Sequence, residues 1–182
     1  HEQQRKAIFT HPDQTITRMF FSELSGVFDV TDTLQLSGNA YFRQNRIKTF
    51  NGDDSDFEAC EDPGNAGFVC EEEGDTEEIV ENLLGNQVLS SNLYAGLDPE
   101  DTLGATGNTS QTHMRSTGGT IQSLFTGDIF GYKNNFIFGA AYDYADVHFE
   151  SDTELGLLTD NRGTSSSGIL VEEAHVRLNT LT

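Results

Sequence analysis

Three groups of side chains in this 182-residue sequence are equipped for chemistry, and each sits in its own stretch. Arg43, Arg46 and Lys48 place three cations within six positions, enough to hold an anionic ligand through charge-assisted hydrogen bonds. Tyr41, two residues before Arg43, and Asp143, on a later stretch, join Arg43 as substrate-binding candidates. Asp53, Asp54, Asp56 and Glu58 crowd four carboxylates into six positions, the oxygen-rich set that calcium prefers. Position six of a calcium loop starting at Asp54 is Ala59 where the sharp turn demands Gly, so a solvated acidic loop is the stronger reading. Pairing with that acid is the plainer role for the Arg43 cluster. Cys60 and Cys70, the only cysteines, are separated by Glu61 to Val69 with Pro63, Gly64 and Gly67. That flexible spacing favours a loop disulfide over two free thiols, and with it an oxidising compartment.

The five histidines, His1, His11, His113, His148 and His175, are scattered without metal-ligand spacing, and no H-E-x-x-H, G-x-S-x-G or phosphate-loop motif occurs. The residues therefore describe a binding protein rather than an enzyme, and they call for no cofactor or metal.

Composition narrows the classes. Only 35% of the residues are hydrophobic, 22% are charged, and 18 Gly stand against 3 Pro, so a large dry core is not expected. A net charge of -20 repels phosphate, which argues against a nucleic-acid partner. The acid is uneven: Asn51 to His113 holds 16 acidic residues and no Lys or Arg, leaving 14 acidic against 10 basic elsewhere, a net of -4. No window holds 18 consecutive apolar residues, which removes a transmembrane helix but not a transmembrane barrel, whose strands need only about 9 to 11 alternating residues. The sequence opens at His1 without an initiator Met or signal segment and reads as a processed chain or an excised piece.

The elements that must position these groups are strands. Leu34, Leu36, Gly38, Ala40 and Phe42 alternate with Gln35, Ser37, Asn39, Tyr41 and Arg43, giving one apolar and one polar face. Similar alternation predicts strands near 15–30, 34–50, 114–130, 136–150 and 172–182, with short turns at 31–33 and 131–135 and long loops at about 51–113 and 151–171. Within the acidic loop, Asp75 as a cap ahead of Ile79, Val80, Leu83 and Leu84 predicts a short helix near 76–85. Short turns on one edge and long loops on the other are the asymmetry of outer-membrane barrels. Tyr142 and Tyr144, on the apolar parity, suit an aromatic girdle better than a ligand platform.

The wording of several segments adds to this. Lys6 to Asp13, Leu34 to Phe42 followed by Arg43-Gln44-Asn45-Arg46 and Phe50-Asn51-Gly52-Asp53, and Gly118-Gly119-Thr120-Ile121-Gln122 resemble barrel segments of TonB-dependent outer-membrane receptors. So do Asn135 to Tyr144, Phe149-Glu150-Ser151 and Glu154-Leu155-Gly156. The resemblance covers most of 6–182 apart from the acidic loop. It implies an all-β fold, a partial transmembrane antiparallel up-and-down β-barrel domain spanning 1–182, with the acidic loop at about 51–113 on the extracellular side. It implies a bacterial outer-membrane location and contact with outer-membrane lipid. It also implies uptake of a scarce nutrient such as a ferric siderophore or cobalamin, energised through a TonB complex that engages a plug region. This sequence shows no plug domain and no energy-coupling box, and supplies about five strands where such transporters have about 22. Five strands cannot close, since single-chain barrels start at about eight. The competing expectations are a passive outer-membrane porin or adhesin barrel and a soluble secreted acidic β-protein.

Overall fold

Period-two alternation becomes long antiparallel strands. The structure, a computed structural model, describes residues 10–73, 76–99 and 101–182. In chain order the elements are β1 (Asp13–Thr31), β2 (Leu34–Asp54), β3 (Phe57–Ala59), β4 (Val69–Glu73), β5 (Thr76–Ile79), α1 (Ser90–Tyr94), β6 (Gly104–Ile129), β7 (Tyr132–Leu158) and β8 (Thr164–Leu181). The chain is all-β, antiparallel and up-and-down: five strands form one open sheet in the order β1-β2-β6-β7-β8, and β3, β4 and β5 form a second.

Four local expectations are corrected. The predicted helix at 76–85 is strand β5 followed by a bridged turn, and among the described residues the one helix is α1 at 90–94. Residues 76–79 pair with β4, Cys70 opposite Ile79 and Glu71 opposite Glu78, while the Glu77 carboxylate accepts the Glu61 and Asp62 N–H groups at 2.8 and 3.1 Å. A ladder and two backbone donors outweigh the weak pattern of a helix this short. The expected cap, Asp75, and the segment Lys6 to Phe9 lie outside the described residues. The turn expected at 131–135 is Phe130–Gly131, both at positive φ (55° and 83°), the two-residue type I′ geometry whose twist matches a hairpin. The loop expected at 151–171 shrinks to 159–163, because β7 and β8 run on past their alternating parts. The acidic connection between β2 and β6 covers 55–103 and is itself folded. At 31–33 the expectation holds: Thr31 Oγ1 accepts the Thr33 and Leu34 N–H groups and turns the β1–β2 hairpin.

The long strands pass through two compact units, one formed by residues up to Ile16, Ile47–Gln111 and Phe149–His175, the other by Thr17–Arg46, Thr112–His148 and Val176–Thr182. The first unit holds every buried large apolar side chain among the described residues. Val69, Val80, Val88, Leu93, Tyr94, Leu155 and Leu157 form its core, with Phe57, Ala59, Ile169 and Val171 packed around. The Cys60–Cys70 disulfide, Cα atoms 5.0 Å apart, ties β3 to β4 beside this core, as the spacing suggested. Partly buried hydroxyl and amide groups bond its long strands: Thr49 to Ser110, Asn108 to Asp53, Thr153 to Asn108. A parallel bridge, His11 to Gly163, links the residues ahead of β1 and β8.

The second unit buries no large apolar side chain among the described residues. Its two faces separate by parity. Gln35 bonds Asp29, Asn39 bonds Glu23, and Tyr41 bonds Asp143, so these residues share one polar face. The Phe20 and Phe42 rings meet with centroids 6.2 Å apart on the other, and period two places Leu24, Phe28, Leu36, Ala40, Ile121, Phe138, Ala140 and Tyr142 with them. Phe21, Val27, Ile137, Val176 and Leu178 are apolar exceptions on the polar face.

Candidate functional site

The polar face of the second unit brings the sequence-predicted substrate-binding residues together. Tyr41 on β2 reaches over β6 to Asp143 on β7, its hydroxyl donating a 2.5 Å hydrogen bond to Oδ1. The span depends on Gly118 of β6, which lies beneath. A Cβ there would collide with Asp143 Oδ1, stand 2.7 Å from the Tyr142 carbonyl and 2.8 Å from the Tyr41 ring. Phe21 of β1 packs against Tyr41 with centroids 6.2 Å apart, and Asp143 exchanges backbone hydrogen bonds of 3.1 and 3.0 Å with Thr182. One row therefore crosses the sheet: Phe21, Tyr41, Gly118, Asp143, Thr182.

Arg43 stands one pleat along from Tyr41 on the same face. Its Nε donates to the Ser116 hydroxyl at 3.3 Å, and Ser116 is buried. The expected pairing of Arg43 with the acidic loop is not formed; among the described residues no carboxylate bonds its guanidinium. Its positive charge is thus held by a neutral partner next to a phenol and a carboxylate. On the other side of the row, Asn39 Oδ1 accepts from the Thr120 N–H and hydroxyl at 3.1 and 2.6 Å while its amide donates to Glu23 at 2.8 Å. Glu23, Ser25, Ser37, Asn39, Thr120 and Gln122 line a shallow hollow of about 470 Å³. The chemistry is that of a wet, hydrogen-bonding surface: carboxylates occupied by amide and phenol donors, hydroxyls free to rotate, and one guanidinium available for an anion.

Sequence reasoning missed Gly118, Ser116, Asn39 and Glu23. A glycine pair inside a strand was the available signal, since Gly there marks close approach of a neighbour. Asp53, Asp54, Asp56 and Glu58 do not converge; Asp53 accepts from Asn108 at 3.1 Å, and among the described residues the only ligand-like grouping is Cys60, Cys70 and Glu77, whose sulfurs are spent in the disulfide. Tyr142 is 53% exposed on the apolar face and Tyr144 is half-buried.

In the first unit, His175 sits between acids. Its Nε2 lies 2.6 Å from Glu173 Oε1 and its Nδ1 3.9 Å from Glu150 Oε1. The Glu173 hydrogen bond is the main reason its pKa is raised above 6.5; partial desolvation opposes this, and the charges of Glu173, Glu150 and Asp152 add to it.

Compared with known proteins, the chain matches no family model, no curated protein and no solved structure.

Proposed function

We propose that the five-stranded sheet is part of an outer-membrane β-barrel that binds and admits a small anionic solute, a receptor of the TonB-dependent kind suggested by the sequence resemblance. The observation that carries the membrane part is the spacing of aromatics on the apolar face. Tyr132 and Tyr142 are ten residues apart on β7, about 33 Å along a strand. At the usual tilt of about 40°, that is about 25 Å of vertical height, the height of the lipid-facing band between the two aromatic girdles of such barrels. Between them Phe136 and Phe138 are exposed, Phe138 at 67%, and nothing in the unit buries them. In water such a face is a liability; in lipid it is the solvated state.

The edges support the same reading. β1, and β7 from Tyr132 to Tyr142 where β8 has ended, have unpaired rims, costly in hydrocarbon, and five antiparallel strands leave β1 and β8 running in the same direction. Antiparallel closure then takes an odd number of further strands, giving the even total usual for bacterial barrels. The solute assignment rests on Arg43, the cation of the polar face that no described carboxylate bonds.

One observation favours the soluble alternative: the first unit has its own buried core and disulfide, and His11 hydrogen-bonds Arg162 and Thr164 at 3.0 Å each, drawing together the residues ahead of β1 and β8. Membrane fractionation separates the two, since a barrel leaves the envelope only with detergent. Transport is tested by uptake of a ferric chelate in intact cells. An energised receptor loses uptake on addition of a protonophore, whereas a passive porin does not. Arg43→Ala weakens chelate binding by about tenfold or more, the worth of one charge-assisted hydrogen bond. Uptake unchanged by both perturbations contradicts the proposal.

A further inference from the structure

The β6–β7 turn contains a residue that its conformation disfavours. Phe130 has φ 55° in a two-residue turn whose first position suits Asn, Asp or Gly, and its side chain is 97% exposed. A bulky aromatic held in the left-handed region with no protein contact to repay it is an outlier that points to something outside the chain. The neighbouring β1–β2 hairpin turns without this strain: neither Asp32 nor Thr33 has positive φ, and Thr31 Oγ1 accepts the Thr33 and Leu34 N–H groups. Ile129 and Tyr132, which flank the Phe130–Gly131 turn, are also exposed.

We propose that Phe130 is a membrane anchor, inserted with Tyr132 into the lipid headgroup boundary on the turn side of the sheet. The inference rests on the barrel reading above and adds a specific contact to it. The occupant is lipid rather than protein because Phe130 adjoins Ile129 and Tyr132 at the end of the apolar face: Phe136 and Phe138 lead up from Tyr132, and the second girdle residue, Tyr142, lies about 25 Å higher, one apolar band from the first. An aromatic at the tip of a tight turn enters the interface without exposing backbone to hydrocarbon, since the turn's polar groups stay at headgroup level.

The 182 residues hold no Trp, so Phe130→Trp introduces the one indole of this segment, and the unmodified full-length protein is read alongside as the blank. The full-length protein is folded into phosphatidylcholine vesicles whose acyl chains carry bromine at either a shallow or a deep position. The expected result is blue-shifted emission quenched most by shallow bromines, while Phe138→Trp, on the middle of the same face, is quenched most by deep ones. If Phe138→Trp is quenched and Phe130→Trp is not, the anchor is overturned and the barrel reading stands; if neither is quenched, both fall. A second variant, Phe130→Asn, suits the type I′ turn and preserves the fold. It should insert into vesicles several-fold more slowly than the unmodified protein, and equal insertion overturns the proposal.

Discussion

Tyr41 donates a 2.5 Å hydrogen bond to Asp143 across Gly118, so two residues 102 positions apart share a contact that exists only because the strand between them carries no side chain there. The relationship makes a graded prediction. Tyr41→Phe removes the bond and should cost about 1 kcal/mol. Gly118→Ala puts a methyl group into the space crossed by the Tyr41 ring and should cost about 1–3 kcal/mol by overpacking. A double-mutant cycle of Tyr41→Phe with Asp143→Ala, which removes the acceptor, read by urea unfolding of the full-length protein, should show coupling of about 1 kcal/mol; additive losses would show that the bond is not formed.

The disulfide acts on the connection 55–103. Closing the short loop between Cys60 and Cys70 is worth at most about 3 kcal/mol in the chain-entropy account. Cys60→Ser with Cys70→Ser should therefore speed amide exchange in β3, β4 and β5, leaving the polar row at Tyr41 and Asp143 protected. Exchange that accelerates equally in both units would contradict this.

His175 makes a pH prediction whose sign is fixed by its acidic neighbours. Its folded pKa is raised above 6.5, mainly by the Glu173 hydrogen bond, so its contribution to stability is complete below the unfolded value and is lost as pH rises through the folded one. The measurement is an NMR titration of the imidazole: a midpoint above 6.5 that falls in Glu173→Gln. A midpoint unmoved by that substitution would show that the Glu173 contact is not the cause.

What the sequence disclosed follows from what alternation can encode. From Leu34 to Phe42 one face is apolar and the other polar, and from Phe136 to Tyr142 the aromatic rings share one parity while the other holds Ile137, Gly139 and Ala141, so parity was legible in the first stretch and weaker in the second. Parity placed Arg43 and Tyr41 on one face; it could not supply the β2–β6–β7 register that brings Asp143 to them, because that depends on Gly118 and on pairing over a hundred residues. Beyond Phe50 and before Met114 the strands run on through Asp53, Asn108 and Ser110, a polar stretch without alternation, and this continuation was invisible. Ile79, Val80, Leu83 and Leu84 mimicked a helical face, yet only Val80 is buried and Leu84 points to solvent. Phe130 hid its turn because propensity forbids what the backbone does there.

The central claim is that parity along one strand separates a lipid face from a wet one, and a buried charge tests it most directly. Leu36 and Phe138 lie on the face shared with Phe42 and Tyr142, whereas Gln35 bonds Asp29 on the polar face and Ala141 lies on the parity of Asp143. Arg at an apolar-face position near the bilayer midplane should destabilise the folded barrel by about 2–4 kcal/mol, and Arg on the wet face by much less. The measurement is a folding titration of the full-length protein into lipid vesicles, comparing Leu36→Arg with Gln35→Arg and Phe138→Arg with Ala141→Arg. The account predicts the larger loss for the first member of each pair; equal losses within both pairs would contradict it and favour a soluble acidic β-protein.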